Sequence, residues 1–451
     1  MFMMQVLDFL LQVVRTPALI LGFVALIGLV LQRKTGTQVF SGVIKTAIGI
    51  LIVGMGAGLV VGAILPFVFL FGEVFNLSGF ATGSEMISAA MMEAVPLIAS
   101  SSAVIMAAGF LVNVLLARFT PLKYIFLTGH MMWISSVLVA YVFYSAGMNE
   151  ALIIILGSIV QGAILTVLPA VSQPIVRKVT GSNDFAIGHL TTLGTVPAAY
   201  IGKLVGNPEK NTEDMKLPKG LAFFKDTAVA ISVVMLLFYI VLVAIAGPDR
   251  TAAHAGETNF ILFGILQGLA FAAGVLVLLQ GVRMLLGEIV PAFKGISDKL
   301  VPKAVPALDV PAIFSFAPNA LMIGFITAVA GMMVAMFASS VAFGAVPLVS
   351  IIGAFFTGGV AGIFGNALGG RRGAIAAGFS YGFILIFLSG FTYWLFSGFS
   401  DIGIEGVGHD CVDAMVTMVA FQNPFIGIAI LAAAFVGLSV LENRYQKRVK
   451  A

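Results

Sequence analysis

Apolar runs long enough to cross a bilayer, about twenty residues each, recur along the whole chain, and the short stretches between them hold most of the charge. The runs at 8–31, 46–70, 99–117, 124–147, 151–172, 226–247, 259–289, 313–337, 345–368, 373–398 and 414–441 predict about eleven transmembrane helices. The charges between them alternate in sign. Arg33, Lys34 and Lys45 are followed by Glu73, Glu85 and Glu93, then by Arg118 and Lys123, then by Asn149 and Glu150. Later come the basic stretch Arg177 to Lys225, the basic Lys294, Lys299 and Lys303, Arg371 and Arg372, the acidic Asp401 to Asp413, and the basic Arg444 to Lys450. Loops rich in Lys and Arg stay in the cytoplasm, which predicts an outer N-terminus and a cytoplasmic C-terminus.

Within this alternation one pattern occurs twice. Gly62-x-Ile-x-Pro66 and Gly287-x-Ile-x-Pro291 each have a phenylalanine close behind the proline, Phe67 and Phe293. Laying one on the other sets Ser84 opposite Asp309. The first copy leads into an acidic segment and the second into a basic one, so the copies face opposite sides, as inverted repeats do in many transporters. Phe126-Leu-Thr-Gly-His130 against Phe355-Phe-Thr-Gly-Gly359 is a further echo. Gly and Pro in the tails, Glu73–Glu93 and Lys294–Asp309, predict re-entrant half-helices, which survive at membrane depth only where they are buried or line a cavity. The organisation expected is a first half at 1–202, a cytoplasmic linker loop at 203–225, a second half at 226–412, and a final helix with its tail at 413–451.

Composition narrows the class. Hydrophobic residues make up 60% of the 451 and charged ones 10%, and a mean hydropathy of +1.10 is far above that of soluble domains. The fold expected is therefore an all-α polytopic membrane protein, with 51 glycines suited to close helix packing in lipid. A net charge of +4 comes from the loops, without a basic block interleaved with aromatics, so no nucleic-acid partner is expected. The single cysteine, Cys411, excludes a disulfide framework or a cysteine metal cluster. Asp8 and Arg15 within the first apolar run argue against a cleaved signal peptide, and that span is expected to stay in the protein.

Asp309 has the sharpest chemical signal. An ionisable group beside membrane-embedded sequence costs a few kcal/mol, and Pro306 and Pro311 free backbone groups around it. The plainer role is an N-cap for the span beginning at Pro311. His130 and His189 each follow a glycine in an apolar run, and a neutral imidazole can both donate to and accept from a sugar hydroxyl; an interhelical hydrogen bond is the alternative. Trp133 suits a sugar face or an interfacial belt. His254 and His409 are expected in outer loops, in water. No phosphate-binding loop, HExxH pair, cysteine pair or nucleophile elbow is present, so no cofactor and no metal is expected. Energy must come from an ion gradient or another polypeptide.

The chain resembles the ascorbate-type membrane subunit (enzyme IIC) of the bacterial phosphoenolpyruvate-dependent sugar phosphotransferase system, over nearly its whole length. The resemblance is carried by Leu127-Thr-Gly-His-Met132, Phe185-Ala-Ile-Gly-His189, Glu213-Asp-Met-Lys-Leu-Pro218, Gly281-Val-Arg-Met284 and Ala307-Leu-Asp309 through Ile313-Phe-Ser-Phe-Ala-Pro-Asn-Ala320. It implies a homodimer in a bacterial inner membrane, each protomer having a dimerising scaffold and a core that moves as an elevator. It implies a substrate site from the segment His130-Met131-Met132-Trp133-Ile134, from His189 and Leu190, from Asp309, which as the catalytic residue would orient the attacking hydroxyl or take its proton, and from Ser84 and Glu85 on the first re-entrant segment. Phosphate would come from a phosphocysteine on a separate cytoplasmic B subunit; Cys411, on the outer side, is not that residue. Ascorbate transporters of this kind carry glutamines after the two Gly-His segments, where this chain has Leu190, Thr191, Ile134 and Ser135, and that loss of hydroxyl partners bears on the substrate. The residues alone fit equally an ion-coupled transporter in which Asp309 binds a proton or a sodium ion.

Overall fold

The structure, a computed structural model, describes residues 17–74, 79–215, 227–404 and 406–450. The first half runs α1 (Pro17–Leu31), α2 (Gly36–Val74), β1 (Ala81–Thr82), α3 (Ser84–Ala94), α4 (Pro96–Phe119), β2 (Tyr124–Phe126), α5 (Gly129–Ser145), α6 (Glu150–Thr180), β3 (Ala186–Ile187) and α7 (Thr192–Val205). The second runs α8 (Thr227–Ala255), α9 (Phe260–Lys299), β4 (Val305–Leu308), α10 (Pro311–Phe314), α11 (Pro318–Phe343), α12 (Ile351–Gly353), α13 (Gly359–Leu395), β5 (Val407–Gly408), α14 (Val412–Ala420) and α15 (Pro424–Lys450). A π-helical turn at Ala354–Gly358 joins α12 to α13.

Among the described residues eight helices are long and apolar enough to span a membrane. The predicted count of eleven is higher because α1 and α5 are shorter and because α13 holds two of the expected spans. Gly370 breaks α13 with a φ of 61°, and a Cβ on Gly365 would lie 2.4 Å from the Gly373 carbonyl oxygen, so its two parts fold back on each other. The start of the 8–31 span, with Asp8 and Arg15, lies outside the described residues, as does 216–225 of the expected linker. The described part of that linker is no free loop. Asn207 N–H bonds to Gly369 O, and Arg371 N–H to Lys210 O. The Glu213 carboxylate accepts from Asn319 and Ala320 N–H at the start of α11.

The longest helices, α2 and α9, cross antiparallel with backbones touching. A Cβ added at Gly56 would lie 2.3 Å from Leu278 N, and one at Gly281 2.5 Å from Val53 N. Gly49 against Leu285 N and Gly274 against Val60 N repeat the contact, both at 2.8 Å. Each contact is its mate moved by the same displacement that carries Pro66 onto Pro291. This reciprocity is what an inverted repeat produces at its own two-fold axis. The prolines do not break their helices: α2 runs on past Pro66 to Val74, and α9 past Pro291 to Lys299. The re-entrant pieces are the short α3 and α10.

Hydropathy did not signal the strands, none longer than four residues. They form two parallel sets: β4 lies between β2 and β3, and β1 pairs with β5 on one side, with a Phe80–Pro347 bridge on the other. Each half thus inserts one strand between two segments of the other half. Side chains seal the edges, where water would serve in a soluble protein. Asn113 of α4 donates to Tyr124 O at 3.0 Å and accepts from Phe126 N–H at 3.0 Å, and Gln173 donates to Phe185 O at 3.1 Å. The Phe126/Phe355 echo is a coincidence, since Phe126 lies in β2 and Phe355 in the π-helical turn. The matching residues are Thr128 and Ser350, the N-caps of α5 and α12.

Asn113→Leu removes both partners of β2's edge while keeping volume. A loss of about 1–3 kcal/mol for each orphaned backbone group should appear as a lower thermal unfolding midpoint in detergent, and an unchanged midpoint would remove Asn113 from the seal.

Candidate functional site

In each set the parallel strands deliver their C-terminal ends to one place, and a helix begins within a few residues of every end. From β2, β3 and β4 these ends carry His130, His189 and Asp309; from β1 and β5 they carry Ser84 and Asp410, with Ser350 beyond the Pro347 bridge. Both groups meet at one cavity of about 740 Å³, within the usual range for small-molecule sites. Ser84, Glu85, Thr128, His130, Met131, Ile134, His189, Asp309, Asp410 and Cys411 line it, together with apolar residues of α2 and α9. Among the described residues, its lining contains no Lys or Arg.

The two strand sets use their acids differently. Asp410 is saturated: Oδ1 accepts from Ser84 N–H at 2.8 Å and Oδ2 from Ser350 Oγ–H at 2.9 Å, while Asp410 N–H donates to Ser84 Oγ at 3.1 Å. It latches the start of α3 to the second half. Among the described residues, the Asp309 carboxylate accepts only from Val310 N–H, at 2.7 Å. Its oxygens stand 3.8 Å from His130 Nε2 and 3.9 Å from His189 Nε2, beyond hydrogen-bond reach. That leaves a carboxylate and two imidazoles facing a gap that a hydroxyl could bridge, each imidazole able to donate or accept. The ring atoms and carboxylate of this trio all lie within 4.8 Å of one another, close enough to surround a cation. A metal would need the outer ring nitrogens held by partners, and His189 Nδ1 is buried without one. A polyhydroxylated solute fits this donor set better.

Ser84, Glu85, His130, Met131, Ile134, His189 and Asp309, all named from the sequence, meet at this cavity, whereas Met132, Trp133 and Leu190 stand behind its wall. Met132 is buried, with its carbonyl held by Gln161, and Trp133 Nε1–H points to the Met92 sulfur at 3.3 Å. Leu190 packs in an apolar cluster. His409, expected in water, is only 1% exposed, with Nδ1 3.3 Å from Ser84 Oγ. His254 likewise lies in α8, stacked on Phe69 and 3.7 Å from Glu73. Asp410, Thr128 and Ser350 escaped the sequence reading. The Gly408-His409 pair, a repeat of Gly188-His189, was the available signal.

Inverted halves in lipid, short interleaved strands and a shared polar cavity define a membrane transporter. A sequence model of the sugar-specific permease component of the PTS system (EIIC-GAT) matches residues 12–437, and the chain belongs to that family. A relative named "Ascorbate-specific PTS system EIIC component", from Mycoplasma pneumoniae, is 30% identical over 438 residues. The match covers 84% of this chain and 65% of that relative, so the chain spans less than two thirds of the relative's length.

Asp410→Asn leaves one acceptor for two donors, Ser84 N–H and Ser350 O–H. The orphaned donor should lower stability by about 1–3 kcal/mol and loosen α3, so both the melting midpoint and the solute affinity fall. Intact affinity in a stable variant would show that the latch does not shape the cavity.

Proposed function

We propose that this protein is the membrane-translocating subunit of a sugar phosphotransferase system, taking up L-ascorbate or a related sugar acid or polyol coupled to its phosphorylation. The observation that carries this reading is Asp309, an acid at the cavity with neither oxygen taken by a side chain. Family membership and the relative's name support the solute class.

The solute enters from outside, and its hydroxyls bridge Asp309, His130 and His189. At the inner face a hydroxyl oxygen attacks the phosphorus of a phosphocysteine on a separate B subunit. The new O–P bond forms as the S–P bond breaks, the thiolate leaves with the electron pair, and the hydroxyl proton passes to Asp309. Added charge then keeps the product from returning through an apolar path. Met131 and Ile134 supply apolar wall, and Ser84 and Glu85 close the outer side. The apolar wall residue Ile134 favours a solute other than the one a glutamine there would select.

The protein works as a homodimer in a bacterial inner membrane, N-terminus outside and C-terminus in the cytoplasm. Helices α1, α2, α8 and α9 form the scaffold, and the strand-bearing remainder moves as an elevator core. A second cavity, apolar and of about 410 Å³, between α2, α8 and α11 supports a loose seam between the two parts.

The titratable trio also favours one rival, an ion-coupled transporter in which the acid carries a proton or a sodium ion. Asp309→Asn keeps the shape and removes the proton acceptor. It should abolish phosphorylation-coupled uptake while the amount of protein in the membrane stays the same; unchanged turnover would remove Asp309 from the mechanism. In vesicles, accumulation of unmodified solute that an uncoupler collapses would establish the rival.

A further inference from the structure

We propose that the start of α5, with the Thr128 hydroxyl, is an oxyanion subsite in the cavity that holds the phosphoryl group of the sugar phosphate. This rests on the phosphotransferase reading above. Three observations carry it.

Helix α5 is 17 residues long and starts at the cavity wall, where Thr128, Gly129, His130 and Met131 are all exposed to the cavity. The N–H groups of its first turn have no acceptor within the helix, and no side chain caps them. The end of the helix carries partial positive charge, and Gly129 sets no side chain over it. The second observation is Thr128 itself. It is 5% exposed, and its Oγ1 is buried with no hydrogen-bond partner, a state that buried hydroxyls rarely occupy without a ligand or a water.

The third is the control within the inverted repeat. Ser350 holds the matching N-cap position on α12, equally buried. There the hydroxyl accepts from Gly353 N–H at 3.0 Å and donates to Asp410 at 2.9 Å. Asp410 caps α3 through Ser84 N–H. Asp413 caps α7 through Thr192 and Leu193 N–H at 2.9 and 2.7 Å. Side-chain oxygens close these three helix starts, whereas the start of α5, like those of α10 and α14, has no side-chain cap.

An oxyanion needs help in this cavity. Glu85 and Asp309 both oppose it, and there is no Lys or Arg in the lining. Neutral N–H and O–H dipoles at a helix start can hold a phosphate, and they lack a net charge that would hold the product after transfer. His130, in the first turn of α5, has its Nε2 3.8 Å from Asp309 and sets an imidazole between the phosphoryl group and the acid.

The test uses the full chain in detergent, with inorganic phosphate as probe and calorimetric titration as readout. The native protein should bind one phosphate, and acetate should compete poorly. Thr128→Val keeps the shape and should weaken phosphate about tenfold, the worth of one hydrogen bond to a charged group. Thr128→Ser should restore it. Absence of phosphate binding, or equal binding by the valine variant, overturns the subsite. Acetate competing as well as phosphate overturns it too, because the site would then read a sugar carboxylate. A monodisperse valine variant that loses ascorbate along with phosphate also overturns it, placing Thr128 on the sugar itself. Failure of ascorbate to bind the native protein, with Thr128-dependent phosphate binding intact, counts against the solute assignment and leaves the subsite standing.

Discussion

Every polar group of the backbone must find a partner where water is absent, and this fold answers that constraint by exchanging strands between its halves. β4 sits between β2 and β3, and β1 between β5 and the Pro347 bridge. Neither half can complete its own strands. Asn113 and Gln173 finish the outer edges from neighbouring helices. Irregular backbone is thereby tolerated at a depth where it would otherwise cost several kcal/mol per exposed group.

Parallel strands have a second consequence. Their C-terminal ends gather at one place, and each end starts a helix, so unsatisfied N–H groups converge on the cavity. The acids there answer those helix starts. Asp410 and Asp413 are spent on α3 and α7, and Asp309 keeps only its own neighbour's N–H. A role in capping and a role in binding solute are therefore two ends of one scale. What separates them is how many donors the surrounding backbone sends to each carboxylate.

Glycine sets the distances over which this works. At Gly56 and Gly281 the backbones of α2 and α9 touch, and between α11 and α13 a Cβ on Gly324 would meet Gly362 Cα at 2.7 Å. Lipid offers little hydrophobic reason for helices to associate, so close backbone contact has to supply the attraction. The connecting segment adds polar contacts of its own. Through Glu213 it ties the first half to the start of α11, which begins only a few residues beyond Asp309.

Much of this was legible in the chain. Hydropathy located the spans because the bilayer imposes their length, and the two Gly-x-Ile-x-Pro segments exposed the duplication because both copies answer the same packing demand. Asp309, His130 and His189 stood out because polar groups in apolar runs need a reason. The strands did not, since two to four residues leave no periodicity to read. Asp410 hid among the acids of a segment that looked like an outer loop, and His409 seemed a solvated neighbour. Only the folded chain shows that α3 covers both. Sequence alone decided which segments are long and apolar enough to span a membrane and which polar residues stand out in them, because those depend on composition over a local window. Tertiary structure decided which carboxylate is saturated and which helix start stays open, because those depend on donors brought from more than two hundred residues away.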